Sequence, residues 1–119
     1  MENNLDNYYL RQKEPYQSCL LALKDIIMSV NTEIFSTKKY QIPFFYYKDM
    51  KLAFVWLHEK KVIVAFIKDK KTLPITSDIK QRDQIETLQV DPNTNIPIEI
   101  ITKKLRMQLE TYNKFLSEK

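Results

Sequence analysis

Tyr40-Gln41-Ile42-Pro43-Phe44-Phe45-Tyr46-Tyr47-Lys48-Asp49-Met50-Lys51-Leu52-Ala53-Phe54-Val55-Trp56 is the stretch whose reading decides the fold. Two runs rich in aromatic and β-branched residues flank a short break, and a third run follows Glu59-Lys60. Such residues suit a pleated, half-buried surface, and brief polar breaks between them suit hairpin turns. The pattern predicts strands at Tyr40–Lys48, Lys51–His58 and Lys61–Ile67, with two-residue turns at Asp49-Met50 and Glu59-Lys60. Pro43 cannot donate to a ladder, so it points to an edge or a bulge.

Helical periodicity flanks this meander on both sides. Tyr16, Leu20, Leu23, Ile27 and Val30 recur at intervals of three and four, which predicts a helix from Pro15 to Val30. Thr32 to Thr37 reads as one further helical turn. Ile98, Ile101, Leu105, Leu109, Tyr112 and Leu116 predict a last helix starting near Pro97, with Asn95 as its cap. Gln84–Val90 alternates weakly and reads as a fourth strand. Residues 1–12 read as a short helical or irregular lead-in.

The order is helix, strands, helix. It predicts a two-layer α+β domain spanning residues 1–119, with an antiparallel sheet of about four to five strands and the helices on one face. The turn positions then sort the strands into two faces. Tyr40, Ile42, Phe44, Tyr46, Ala53, Val55, Leu57, Val62, Val64 and Phe66 form the set expected beneath the helices. Gln41, Pro43, Phe45, Tyr47, Leu52, Phe54, Trp56, His58, Ile63 and Ala65 form the other. A one-residue bulge at Pro43 would exchange the faces of the first strand. Pro43, Phe45, Tyr47, Phe54, Trp56 and His58 are the expected binding residues, because exposed apolar patches of several hundred Å² mark interaction sites. The segment from Lys68 to Arg82 is the element able to cover that face instead.

Composition removes several classes of chemistry. The chain has no glycine, which excludes glycine-rich phosphate loops and dinucleotide fingerprints. One cysteine, Cys19, allows no internal disulfide, and one histidine, His58, with one cysteine does not make a zinc site. Glu2, Asp6, Glu14, Asp25 and Glu33 are too scattered to form a hard-metal ridge. No nucleophile–base pair or carboxylate pair stands out, so no enzyme is expected. The start, Met1-Glu2-Asn3-Asn4, is not that of a secretory signal, no apolar run is long enough to span a membrane, and the chain reads as cytoplasmic. Net charge is +4, and the excess lies in the meander, where Lys38, Lys39, Lys48, Lys51, Lys60, Lys61, Lys68, Lys70 and Lys71 cluster at turns and strand ends. Lysines there protect sheets from edge pairing, a reading preferred to nucleic-acid contact. The expected partner is a protein or small ligand, with no cofactor, and the expected state is a monomer or weak homodimer.

A group of residues resembles a known family. Leu5-Asp6-Asn7-Tyr8, Glu14-Pro15, Leu20, Leu23, Glu33, Tyr40, Pro43, Phe44-Phe45, Tyr47-Lys48 and Trp56 resemble the YdhG-like domain of unknown function, as do Arg82, Asp91-Pro92-Asn93 and Ile96-Pro97. The resemblance covers about residues 5–116. Asp49, Ala65 and Asp69 stand where that family usually has glycine. The resemblance implies a small intracellular α+β domain, frataxin-like in fold in some members. It also implies an alternative function, iron handling for iron–sulfur assembly, resting on acidic residues of the first helix and first strand.

Overall fold

The computed structural model describes residues 4–74 and 82–118, without the side chains of Asn4, Leu5 and Asp6. Helices α1 (Asn4–Leu10) and α2 (Tyr16–Ser29) lead into strands β1 (Ile34–Lys39), β2 (Ile42–Tyr47), β3 (Met50–His58), β4 (Lys61–Lys68) and β5 (Gln84–Val90). Helix α3 (Ile98–Ser117) closes the chain. The five strands form one antiparallel sheet in the order β1-β2-β3-β4-β5, so each strand pairs with its neighbours in sequence. The architecture is the expected α+β one, with five strands.

The helices share one face of the sheet. Cys19, Leu20, Leu23 and Ile27 of α2 and Ile101, Leu105, Leu109 and Tyr112 of α3 are buried with Tyr8 and Tyr9 of α1. They pack in one core with Phe45, Tyr47, Leu52, Ala53, Val55, Val62, Val64 and Phe66. Removing these side chains from water is the dominant favourable term in folding.

Three local readings change. Thr32 to Thr37 is not a helical turn, because Ile34–Lys39 is the edge strand β1. Its residues alternate Ile34 inward with Phe35 outward, a period of two. The first turn of the meander is Lys48-Asp49, since Tyr47 pairs with Met50. Helix α3 has Pro97 at its N-terminal boundary with no side-chain cap, in place of Asn95.

The bulge lies in β3, not at Pro43. Tyr46 pairs with Lys51 but Phe45 pairs with Ala53, so Leu52 is the extra residue. Leu52 and Ala53 are both fully buried in the core opposite Phe45. Pro43 sits in β2 between two strands, and the β2–β3 ladder ends at Phe44 opposite Phe54, where Pro43 has no N–H to extend it. The Leu57 N–H beyond that end is satisfied by the Tyr8 hydroxyl at 3.0 Å.

At the other end of β3 the bulge leaves backbone groups without ladder partners. The Lys51 N–H donates to Asp69 Oδ2 at 2.9 Å, and the Lys71 N–H donates to Oδ1 at 2.9 Å. The Tyr112 hydroxyl accepts from the Asp69 N–H at 2.9 Å and donates toward the carbonyls of Ile67, at 2.9 Å, and Lys51. One tyrosine of α3 thus ties together the ends of β3 and β4. Buried polar groups need such partners, which explains a carboxylate at a buried position.

Candidate binding face

The observed register decides which side chains share the face away from the helices. Across the middle of the sheet, Thr37, Phe44, Phe54, Ala65 and Thr87 lie in one cross-strand row. Phe35 and Tyr46 form a second row with Lys51, and Trp56 pairs with Ile63, which pairs with Gln89. His58 faces Lys61 at the hairpin end.

Of the six expected binding residues, Phe54, Trp56 and His58 lie on this face. Phe54 and Trp56 are half-buried and His58 is exposed. Pro43, Phe45 and Tyr47 do not lie there. Phe45 is 0% exposed and Tyr47 2%, both inside the helix-side core, and Pro43 is buried with the same parity. The cause is the turn at Lys48-Asp49 together with the Leu52 bulge: they pair Phe44 rather than Phe45 with Phe54. A one-residue change of pairing moves a whole strand to the opposite face. The assignments for β3 and β4 stand, apart from Leu52, which is core.

Phe35, Phe44 and Tyr46 take the places of the three displaced residues. Their rings organise the face. Phe35 stacks on Tyr46 with centroids 5.4 Å apart, and Phe44 packs against Phe54 at 5.0 Å and Tyr40 at 5.9 Å. Trp56 stacks on His58 at 4.3 Å. Phe44 is buried at the centre of this group, while Phe35 is 45% exposed and Tyr40 78%. The Lys39 ammonium lies 5.4 Å from the Tyr40 ring centre and 6.0 Å from that of Phe44. The signal for this arrangement was in the sequence: Lys48-Asp49 is the wholly polar pair, whereas a turn at Asp49-Met50 exposes a methionine that the fold buries.

A charged pair borders the face. Lys51 Nζ lies 2.9 Å from Asp83 Oδ2, and the Lys70 N–H donates to Asp83 Oδ1 at 2.8 Å. The hydrogen bond to Asp83 raises the Lys51 pKa above its ordinary value. Burial by itself would raise that of Asp83, but the Lys51 and Lys70 interactions outweigh it and hold the carboxyl low. Asp83 is therefore a fixed anion at this border. The segment expected to cover the face, Lys68 to Arg82, starts with a 3₁₀ turn at Lys70–Thr72. Its middle, residues 75–81, lies outside the described residues.

The other reactive residues are placed as follows. His58 Nε2 is 3.8 Å from Glu59 Oε2, and both side chains are largely in solvent. Cys19 is buried in α2, and burial pushes its thiol up, away from the reactive thiolate. Among the described residues, no three His, Cys, Asp or Glu side chains come together as a metal site. Helix α2 carries Asp25 as its one acidic residue. No helix among the described residues is long and apolar enough to cross a membrane. Comparison with protein-family models, with curated proteins and with solved structures finds no match for this chain.

Proposed function

We propose that this protein is a binding domain that recognises a protein or small ligand through the sheet face away from its helices. The observation that carries the reading is the Trp56–His58 stack, which stands half in solvent beside Phe54, with no helix on that side among the described residues. Tryptophan offers a large rigid contact surface and concentrates interface energy. Its stack on His58 holds the indole in place, so less side-chain freedom is left to lose on binding. The work done at such a face is recognition and not turnover.

Trp56→Ala tests the reading. On an open face it costs less than about 2 kcal/mol of stability, against the roughly 3–5 kcal/mol of a core tryptophan. An NMR screen of the folded protein with a library of small aromatic fragments supplies the binding arm. Fragments that shift the Trp56 indole and the Phe54 amide in the wild type, and lose their effect in Trp56→Ala, support the proposal. A stability loss in the core range, or shifts elsewhere with none at Trp56, rejects it.

A further inference from the structure

The two edges of the sheet differ in kind. β1, Ile34-Phe35-Ser36-Thr37-Lys38-Lys39, ends in two lysines, the usual guard against strand addition. β5, Gln84-Ile85-Glu86-Thr87-Leu88-Gln89-Val90, has no lysine, proline or bulge. It pairs with β4 in unbroken register over all seven residues. Its one charge, Glu86, is already neutralised by Lys104 of α3.

The ladder pattern shows which backbone groups of β5 face outward. The hairpin closed by His58 and Lys61 makes those two a hydrogen-bonded pair, so Trp56–Ile63 and Phe54–Ala65 are bonded pairs as well. Val62, Val64 and Phe66 therefore bond to β5, through Val90, Leu88 and Glu86. Ile85, Thr87 and Gln89 are left with N–H and C=O groups pointing away from the sheet, and among the described residues no strand pairs with them.

Exposed apolar side chains flank this edge. Ile85 is 54% exposed, Ile100 51% and Met107 57%. Met107 borders, with Phe66 and Lys68 of β4, Ile85 and Glu86 of β5 and Lys104, a cleft of about 650 Å³ between α3 and the β4–β5 side of the sheet. Ile100 stands one helical turn before Lys104 on the same side of α3.

We infer that β5 is the surface on which a second copy of this chain docks, strand to strand, about a two-fold axis through Thr87. That register places outward groups against outward groups, Ile85 with Gln89 of the partner and Thr87 with Thr87 of the partner. Within the paired strands no like charges meet, because Glu86 falls opposite Leu88 of the partner; just beyond the strand ends Asp83, already paired with Lys51, falls opposite Asp91 of the partner. A cross-strand threonine pair is itself favourable. The two sheets become one sheet of ten strands, and the two faces away from the helices become continuous.

Sedimentation velocity of the full chain over a range of concentrations tests this. Thr87→Lys and Thr87→Glu each set like charges directly opposite at the axis, at an exposed position that leaves the fold intact by circular dichroism. Each variant alone weakens dimerisation at least about tenfold, and an equimolar mixture restores it in a salt-sensitive way. In the wild type, the amides of Ile85, Thr87 and Gln89 exchange with solvent more slowly as concentration rises. A wild type that stays monomeric up to about 1 mM overturns the inference. So does a dimer that Thr87→Lys leaves intact, one that the mixture fails to restore, or one that leaves those three amides exchanging as in the monomer.

Discussion

Tyr112 carries more of the structure than its place in a helical stripe reveals. Its ring belongs to the core, while its hydroxyl closes the backbone gap beside the β3 bulge. Tyr112→Phe keeps the ring and strands the buried Asp69 N–H, so we expect a loss of about 1–3 kcal/mol in denaturant unfolding. Burial pushes the hydroxyl from 10.0 up to about 12. The folded state then holds a proton that the unfolded chain has released. This part of the stability is complete below about pH 10 and is lost as pH rises through about 12. Wild type should show that alkaline decline in its urea midpoint, and Tyr112→Phe should show a smaller one, the remainder including Tyr8, whose hydroxyl burial also pushes up. Residue conformation also bears on the three positions where the YdhG-like pattern has glycine. Asp49 adopts φ 67°, a conformation in which glycine is at ease. Asp69 sits at φ −62° and needs no glycine; its side chain caps the 3₁₀ turn. Ala65 is buried against Phe54 in the sheet, where only a small side chain leaves the aromatic row intact.

At the scale of elements, the three hairpin turns share one conformation. Tyr40-Gln41, Lys48-Asp49 and Glu59-Lys60 all have positive φ at both positions, between 49° and 67°. These are the angles of the tight turn that matches strand twist and that normally selects Asn-Gly. A chain without glycine takes them with ordinary side chains, at a cost of roughly 1–2 kcal/mol per residue. Replacing Glu59-Lys60 by Asn-Gly should therefore stabilise the protein by about 1 kcal/mol, read from the denaturation midpoint at unchanged slope. The same absence of glycine explains which elements the sequence displayed. α2 and α3 announce themselves by helical periodicity and β3 and β4 by their aromatic and β-branched runs, while β5 alternates only weakly, and every bound expected for them lies within two residues of the observed one. β1 does not, because Tyr40-Gln41 looks like strand and carries no turn residue. The aromatic face was half legible for a related reason. Trp56, Phe54 and His58 follow from the Glu59-Lys60 turn alone, whereas Phe44, Tyr46 and Phe35 depend on taking the polar pair Lys48-Asp49 as the turn and on a bulge at Leu52 that no residue type marks.

Over the whole molecule, the sheet separates two environments: a helix-covered core on one side and an aromatic floor bordered by Lys39, Lys51 and Asp83 on the other. The order of strands also governs how the molecule assembles in time. Each strand meets a partner adjacent in the chain, and three of the four pairings close through two residues, so the sheet forms with small loop-closure entropy. α3 packs on α2, β3 and β4, through contacts distant in sequence from the strands. We therefore expect the rate-limiting nucleus to be the β2–β3–β4 meander, with the docking of α3 on the native side of the barrier. Stopped-flow kinetics should separate the two variants already named. Asn-Gly at residues 59 and 60 should quicken folding, whereas Tyr112→Phe should leave the folding rate nearly unchanged and quicken unfolding by about five- to a hundredfold. The clasp that α3 places on the bulge would thus govern how long the native state lasts, and the glycine-free turns how soon it is reached.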